Sequence, residues 1–213
     1  MLSITLIILI TTCLVSFSAF GNEKMKENML FWPAEIDSQK QYYRFLTYGL
    51  IHADLIHLAF NMLALYSFGE YVERYLFSHP ELFGEKGKLF YLILYISAVI
   101  ISPLPDYFKH RKSYAYRALG ASGAVSAVVF AGIMLNPKLR IRILFVPFDI
   151  PGYIFGVIFP LLSVVLARKG GDNIGHGAHF TGAIYGLVFT IVTTKIFADF
   201  DSVSSFMNAI MNR

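Results

Sequence analysis

The chain has 213 residues, 56% of them hydrophobic and 15% charged, where an ordinary soluble domain carries about 25% charged residues. The apolar residues fall in several separate runs, each near the roughly 20 residues that cross a bilayer as a helix. This excludes a soluble globular domain and predicts one compact bundle of membrane helices over residues 1–213. The formal charge of +4 is scattered between the apolar runs, which favours lipid headgroups over nucleic acid as partners.

The first run, 2–20, has no charge and lacks the basic leading segment of a secretory signal, so it reads as a retained helix. Ser16-Phe17-Ser18 is a faint small-x-small cue for the alternative, removal of the segment. Cys13, the sole cysteine, reads as a small hydrophobe. The interval 21–44 is polar and holds Trp32, Tyr42 and Tyr43, aromatics suited to the headgroup layer. A second helix over about 47–68 contains His52, Asp54, His57 and Asn61, which hydrocarbon tolerates only if they line a cavity or find partners. The third, about 89–104, stops at Pro103 and Pro105, and the fourth, about 119–135, stops at Asn136-Pro137. A fifth, about 150–167, holds Pro151 and Pro160; a sixth, about 174–197, follows Asp172-Asn173.

The expected fold is therefore all-α, a six-transmembrane-helix bundle. The third and fourth helices are short for a hydrocarbon core of about 30 Å, and the fourth is rich in Gly, Ala and Ser, as suits a sunken helix surrounded by protein. The basic residues lean slightly against a cytoplasmic N-terminus.

Three segments could carry chemistry. In Gly120-Ala121-Ser122-Gly123, at the head of the fourth helix, a hydroxyl stands beside the free N–H groups of a helix start. This arrangement exposes a serine nucleophile and offers donors to an oxyanion. Small-residue runs in membrane helices also serve simple packing, so this segment alone does not decide. In the sixth helix, Gly182 and Gly186 form a G-x-x-x-G face, and His179 lies three residues earlier, on nearly the same side. Gly123 and Ala127 offer a matching surface on the fourth helix, so packing the two faces would bring His179 to Ser122 as a base to its nucleophile. A structural interhelical hydrogen bond is the alternative role for His179. On the second helix His57 and Asn61 are four apart and both can donate to developing negative charge, whereas His52 reads as satisfied polar packing.

Together these residues and their order resemble the rhomboid family of intramembrane serine proteases. The resemblance runs from Tyr43-Arg44-Phe45-Leu46-Thr47 through His52, His57 and Asn61, then Gly120-x-Ser122-Gly123, then His179-x-x-Gly182-x-x-x-Gly186. It implies a six-helix core and a Ser122–His179 dyad without an acidic third member. It also implies an oxyanion site made by the Ser122 N–H with His57 and Asn61, structural support from Arg44, His52, Gly120, Gly123, Gly182 and Gly186, and no metal or organic cofactor. The substrates implied are transmembrane or membrane-proximal segments of membrane proteins, reached from a water-filled cavity on the extracytoplasmic side. The compact length suits a prokaryotic plasma membrane. Two departures stand out. Tyr43-Arg44 replaces the family's usual W-R pair, and Ser126, one turn after the nucleophile, takes the place of an aromatic that packs on the histidine in some members. Ser126 itself, Asp172 or His176 are then the candidates to orient His179.

His52, His57, His176 and His179 could be zinc ligands, yet H-E-x-x-H is missing and no Glu lies in the helices that bear them. A non-catalytic rhomboid-like protein that binds membrane clients would typically lack the serine or the histidine, and both are here. A transporter would show paired broken helices in two halves, and this sequence does not.

Overall fold

The structure, a computed structural model, describes residues 2–142, 147–169 and 175–211. Helix α1 (Ile4–Phe20) starts at Ser3, whose hydroxyl oxygen accepts from the Leu6 N–H at 3.2 Å. Two more first-turn N–H groups, of Ile4 and Thr5, donate to the buried carboxylate of Glu73 at 2.9 and 2.8 Å, and the Thr5 hydroxyl adds a third bond at 2.8 Å. A carboxylate at this point satisfies orphan donors and opposes the positive end of the helix dipole. It ties the start of α1 to a distant helix.

The interval 21–44 is folded. Helix α2 (Glu23–Met29) is capped by Asn22, α3 (Pro33–Gln39) opens on Pro33, and the one-turn α4 (Arg44–Thr47) runs into a 3-10 turn, Tyr48–Leu50. Arg44, only 3% exposed, locks these pieces together. Its guanidinium donates to the carbonyls of Glu27 and Leu30 at 2.7 and 2.9 Å and to the Gln41 amide oxygen at 2.6 Å.

The expected continuous helix over 47–68 is corrected. The chain breaks after the 3-10 turn, and the segments Arg44–Leu50 and Leu55–Phe77 meet at 97°. The cause is local: Asp54 is extended, and its side chain accepts from the His57 N–H at 2.8 Å, capping a new helix, α5 (Leu55–Ala64). That helix continues through π-helical segments Leu65–Gly69 and Val72–Phe77, well past residue 68.

Next come α6 (Gly87–Ile101) and α7 (Leu104–His110), joined at Pro103, then α8 (Ser122–Leu135). A short antiparallel hairpin of β1 (Arg140–Arg142) and β2 (Asp149–Pro151), with Ile141 opposite Ile150, interrupts the all-helical pattern. Helix α9 (Gly152–Lys169) contains Pro160, α10 (His176–Ala198) ends at a left-handed Asp199, and α11 (Ser202–Met211) lies beyond the expected sixth helix.

Among the described residues, two helices, Gly84–His110 and Gly177–Ala198, are long and apolar enough to cross a membrane, or three if the bent pair is one span. Ile4–Phe20, Ser122–Leu135 and Gly152–Val165 are apolar but shorter. Of the expected six helical runs, α1 and α8 thus fall below the length of a full crossing, whereas α9 has 18 residues in all. For α8 the reason is visible: 12 of its 14 residues are buried, so protein rather than lipid surrounds it. Its side chains Phe130 and Ile133 join Leu65, Phe77, Tyr91 and Leu94 in the main core.

Candidate active site

Ser122 is the first residue of α8, where backbone N–H groups have no partner within the helix. The turn that delivers it depends on Gly120, which has a φ of +110°. That conformation is strained for any side chain, and a Cβ there would lie 2.8 Å from His57 Cε1 and 3.0 Å from His57 Nε2. The same glycine therefore sets the direction of the chain before Ser122 and leaves room for the His57 ring.

From α10, Nε2 of His179 lies 2.6 Å from Oγ of Ser122. For the hydroxyl to donate, Nε2 must be the unprotonated ring nitrogen. The approach rests on glycines. A Cβ at Gly182 would overlap the carbonyl of Gly123, and one at Gly186 would overlap that of Ala127, so α8 and α10 meet backbone to backbone. Both Ser122 and His179 are half-buried.

His57 and Asn61 stack on one side of α5. The Asn61 amide donates one hydrogen to the His57 carbonyl at 3.0 Å, which leaves its second hydrogen for another acceptor. Asn61 lines the same cavity as Ser122 and His179, a space of about 750 Å³ that extends along α8 to Arg140 and Arg142 and is walled by Phe155 and Phe159 of α9.

His52 is 1% exposed and sits behind the site. The Ser16 hydroxyl donates to the Leu50 carbonyl at 2.9 Å, so its oxygen is the acceptor for His52 Nδ1 at 3.0 Å. The other ring nitrogen, Nε2, is then an acceptor facing the Ala121 N–H at 3.5 Å. The His52 ring also meets the His57 ring edge to face, with centroids 5.0 Å apart. It braces both the turn before Ser122 and the ring of His57.

Ser126 does not reach His179. Its hydroxyl donates back to the Ser122 carbonyl at 2.8 Å, the ordinary local bond of a serine inside a helix. Asp172 and the side chain of His176 lie outside the described residues. What does face the imidazole is Phe159 of α9, with ring centroids 6.1 Å apart and planes inclined by 28°. Reading the sequence missed this residue. The only trace of it is that Phe155 and Phe159 are four apart, hence on one side of α9. Of the four histidines weighed as a zinc set, His52 turns to Ser16 and His179 to Ser122, the His176 side chain lies outside the described residues, and no group of three or more His, Cys, Asp or Glu converges among the described residues.

A helical membrane bundle with a serine and a histidine joined across two glycine-packed helices, opening on a cavity, defines an integral membrane protein with an internal polar site. Residues 39–196 match the rhomboid domain, and the chain belongs to the rhomboid family. It is 24% identical over 201 residues to "Rhomboid protease GlpG" of Haemophilus influenzae, covering 89% of this chain and 91% of that protein. It is 32% identical over 182 residues to "Rhomboid protease GluP" of Bacillus subtilis, covering 83% of this chain and 30% of the other. A third relative is "RHOMBOID-like protein 12, mitochondrial" of Arabidopsis thaliana, 27% identical over 177 residues, or 79% of this chain. The chain spans about half the length of that plant relative, 51%.

Proposed function

We propose that the protein is an intramembrane serine endopeptidase that cleaves transmembrane or membrane-proximal segments of membrane proteins. The observation that carries this reading is the 2.6 Å approach of His179 Nε2 to Ser122 Oγ beside a cavity, within a family whose matched relatives include two named as proteases.

In this mechanism Ser122 Oγ attacks the carbonyl carbon of an extended substrate backbone while His179 Nε2 takes its proton. The oxyanion accepts from the Ser122 N–H, the second Asn61 amide hydrogen and His57. His179 then protonates the leaving amine, and water resolves the acyl-enzyme by the reverse sequence. We further propose that all six hydrophobic runs form the core, that the site opens to the extracytoplasmic side, and that the membrane is a prokaryotic plasma membrane. Coverage of nearly the whole Haemophilus relative supports the last of these, although other relatives are named mitochondrial.

The test is cleavage of a panel of single-span proteins in liposomes by the wild type, Ser122→Ala and His179→Ala. Cleavage by the wild type alone, with all three folded, is expected. Full cleavage by Ser122→Ala, or none by the wild type over a broad panel, would overturn the proposal, the latter in favour of a client-binding role.

A further inference from the structure

We propose that Phe159 helps to position His179, supplying from α9 the ring contact that Ser126 does not supply from α8. This rests on the protease reading above. The two rings are 6.1 Å apart between centroids and inclined by 28°, inside the roughly 4.5–7 Å range of attractive offset aromatic pairs. One turn after Ser122, where a ring on α8 could cover the imidazole, stands Ser126, and its hydroxyl is committed to the Ser122 carbonyl.

Phe159 is itself held in place. Its ring stacks on Phe155 at 5.2 Å and contacts Phe130 of α8 at 5.9 Å, and Phe130 is 1% exposed. The cluster thus runs from the core through Phe159 to His179. A ring fixed on two sides narrows the torsional freedom of the imidazole and leaves Nε2 aimed at Ser122. Its π-face also favours the imidazolium that forms when His179 takes the serine proton.

Phe159 is followed directly by Pro160, which cannot donate to the carbonyl of Gly156. The helix ladder of α9 is interrupted beside the contact. Through that contact His179 orientation is linked to the position of α9.

The experiment compares the wild type with Phe159→Leu, Phe159→Tyr and the double variant Phe159→Leu/Ser126→Phe in liposomes. Phe159→Leu should lower kcat roughly three- to tenfold with KM little changed, the size expected for one aromatic contact. Phe159→Tyr should restore it, and so should the ring supplied from α8 in the double variant. In parallel, NMR of histidine-labelled protein should show a ring-current shift of the His179 imidazole protons that is lost in Phe159→Leu and kept in Phe159→Tyr. Wild-type kcat in Phe159→Leu, an unchanged imidazole shift, or a loss rescued by neither aromatic variant would each overturn the proposal. The imidazole shift is read without turnover, so failure of the protease reading is told apart from failure of this one.

Discussion

Gly182 and Gly123 touch through their backbones: a Cβ on Gly182 would overlap the Gly123 carbonyl and sit 3.2 Å from its Cα. Neither atom belongs to a flexible side chain, so any larger residue must push α10 away from α8. Gly182→Ala should cost about 1–3 kcal/mol by overpacking and should also lengthen the Ser122–His179 approach. A lower melting temperature together with slower labelling of Ser122 by a fluorophosphonate is expected. Unchanged labelling would show that the pair tolerates a wider helix separation.

Gly120 offers a separate test of the same serine. At a φ of +110° an alanine is strained, and its methyl would press on His57. Gly120→Ala should therefore depress Ser122 labelling more than it depresses thermal stability. The reverse ranking would point to a purely structural turn.

The proposed oxyanion donors can be separated by kinetics. Loss of one such donor typically costs about 10²- to 10³-fold in kcat. Asn61→Ala and His57→Ala should both lower kcat while leaving KM within a fewfold, measured on a cleavable single-span substrate. A change confined to KM would assign them to substrate binding.

Glu73 should matter to stability and not to chemistry. It is fully buried and accepts three hydrogen bonds from the first turn of α1. Glu73→Gln places an amide against donors, leaving buried polar groups unsatisfied at about 1–3 kcal/mol. Thermal unfolding should shift down, with Ser122 labelling intact below the new midpoint.

A pH effect is expected outside the membrane helices. The backbone N–H and then the hydroxyl of Ser204 bond to Asp201, at 3.0 and 2.7 Å, and hold its carboxyl below the usual carboxylate range. The charged cap thus stabilises the start of α11 above the ordinary carboxylate pKa, and this support is lost as pH falls through the lowered value. Amide protection factors at 203–205, corrected for the intrinsic pH dependence of exchange, should fall on acidification in the wild type and should already be low at neutral pH in Asp201→Ala.

The sequence was most readable where one residue type has few alternative uses. The glycines at 182 and 186 and the small residues at 123 and 127 pointed to a close helix pair, because only missing side chains allow it. The break at Asp54 was less readable: His52 through Asn61 looked like part of one apolar run, and the cap outweighed hydrophobic continuity. The hairpin after α8 and the helix α11 carry no strong period of their own. Phe159 was invisible for a different reason. Its contact with His179 depends on the relative rotation of two helices, which no local spacing encodes.

Helix α8 has 14 residues, and at 1.5 Å per residue it is roughly 21 Å long, about 9 Å short of a hydrocarbon core of about 30 Å. At its far end the charges of Arg140 and Arg142 favour the headgroup layer, so the deficit gathers at the Ser122 end. On the protease reading proposed above, the serine would then lie at a set depth, with the helix as its gauge. A substrate helix would have to give up about six residues of its own rise to lower a peptide bond that far.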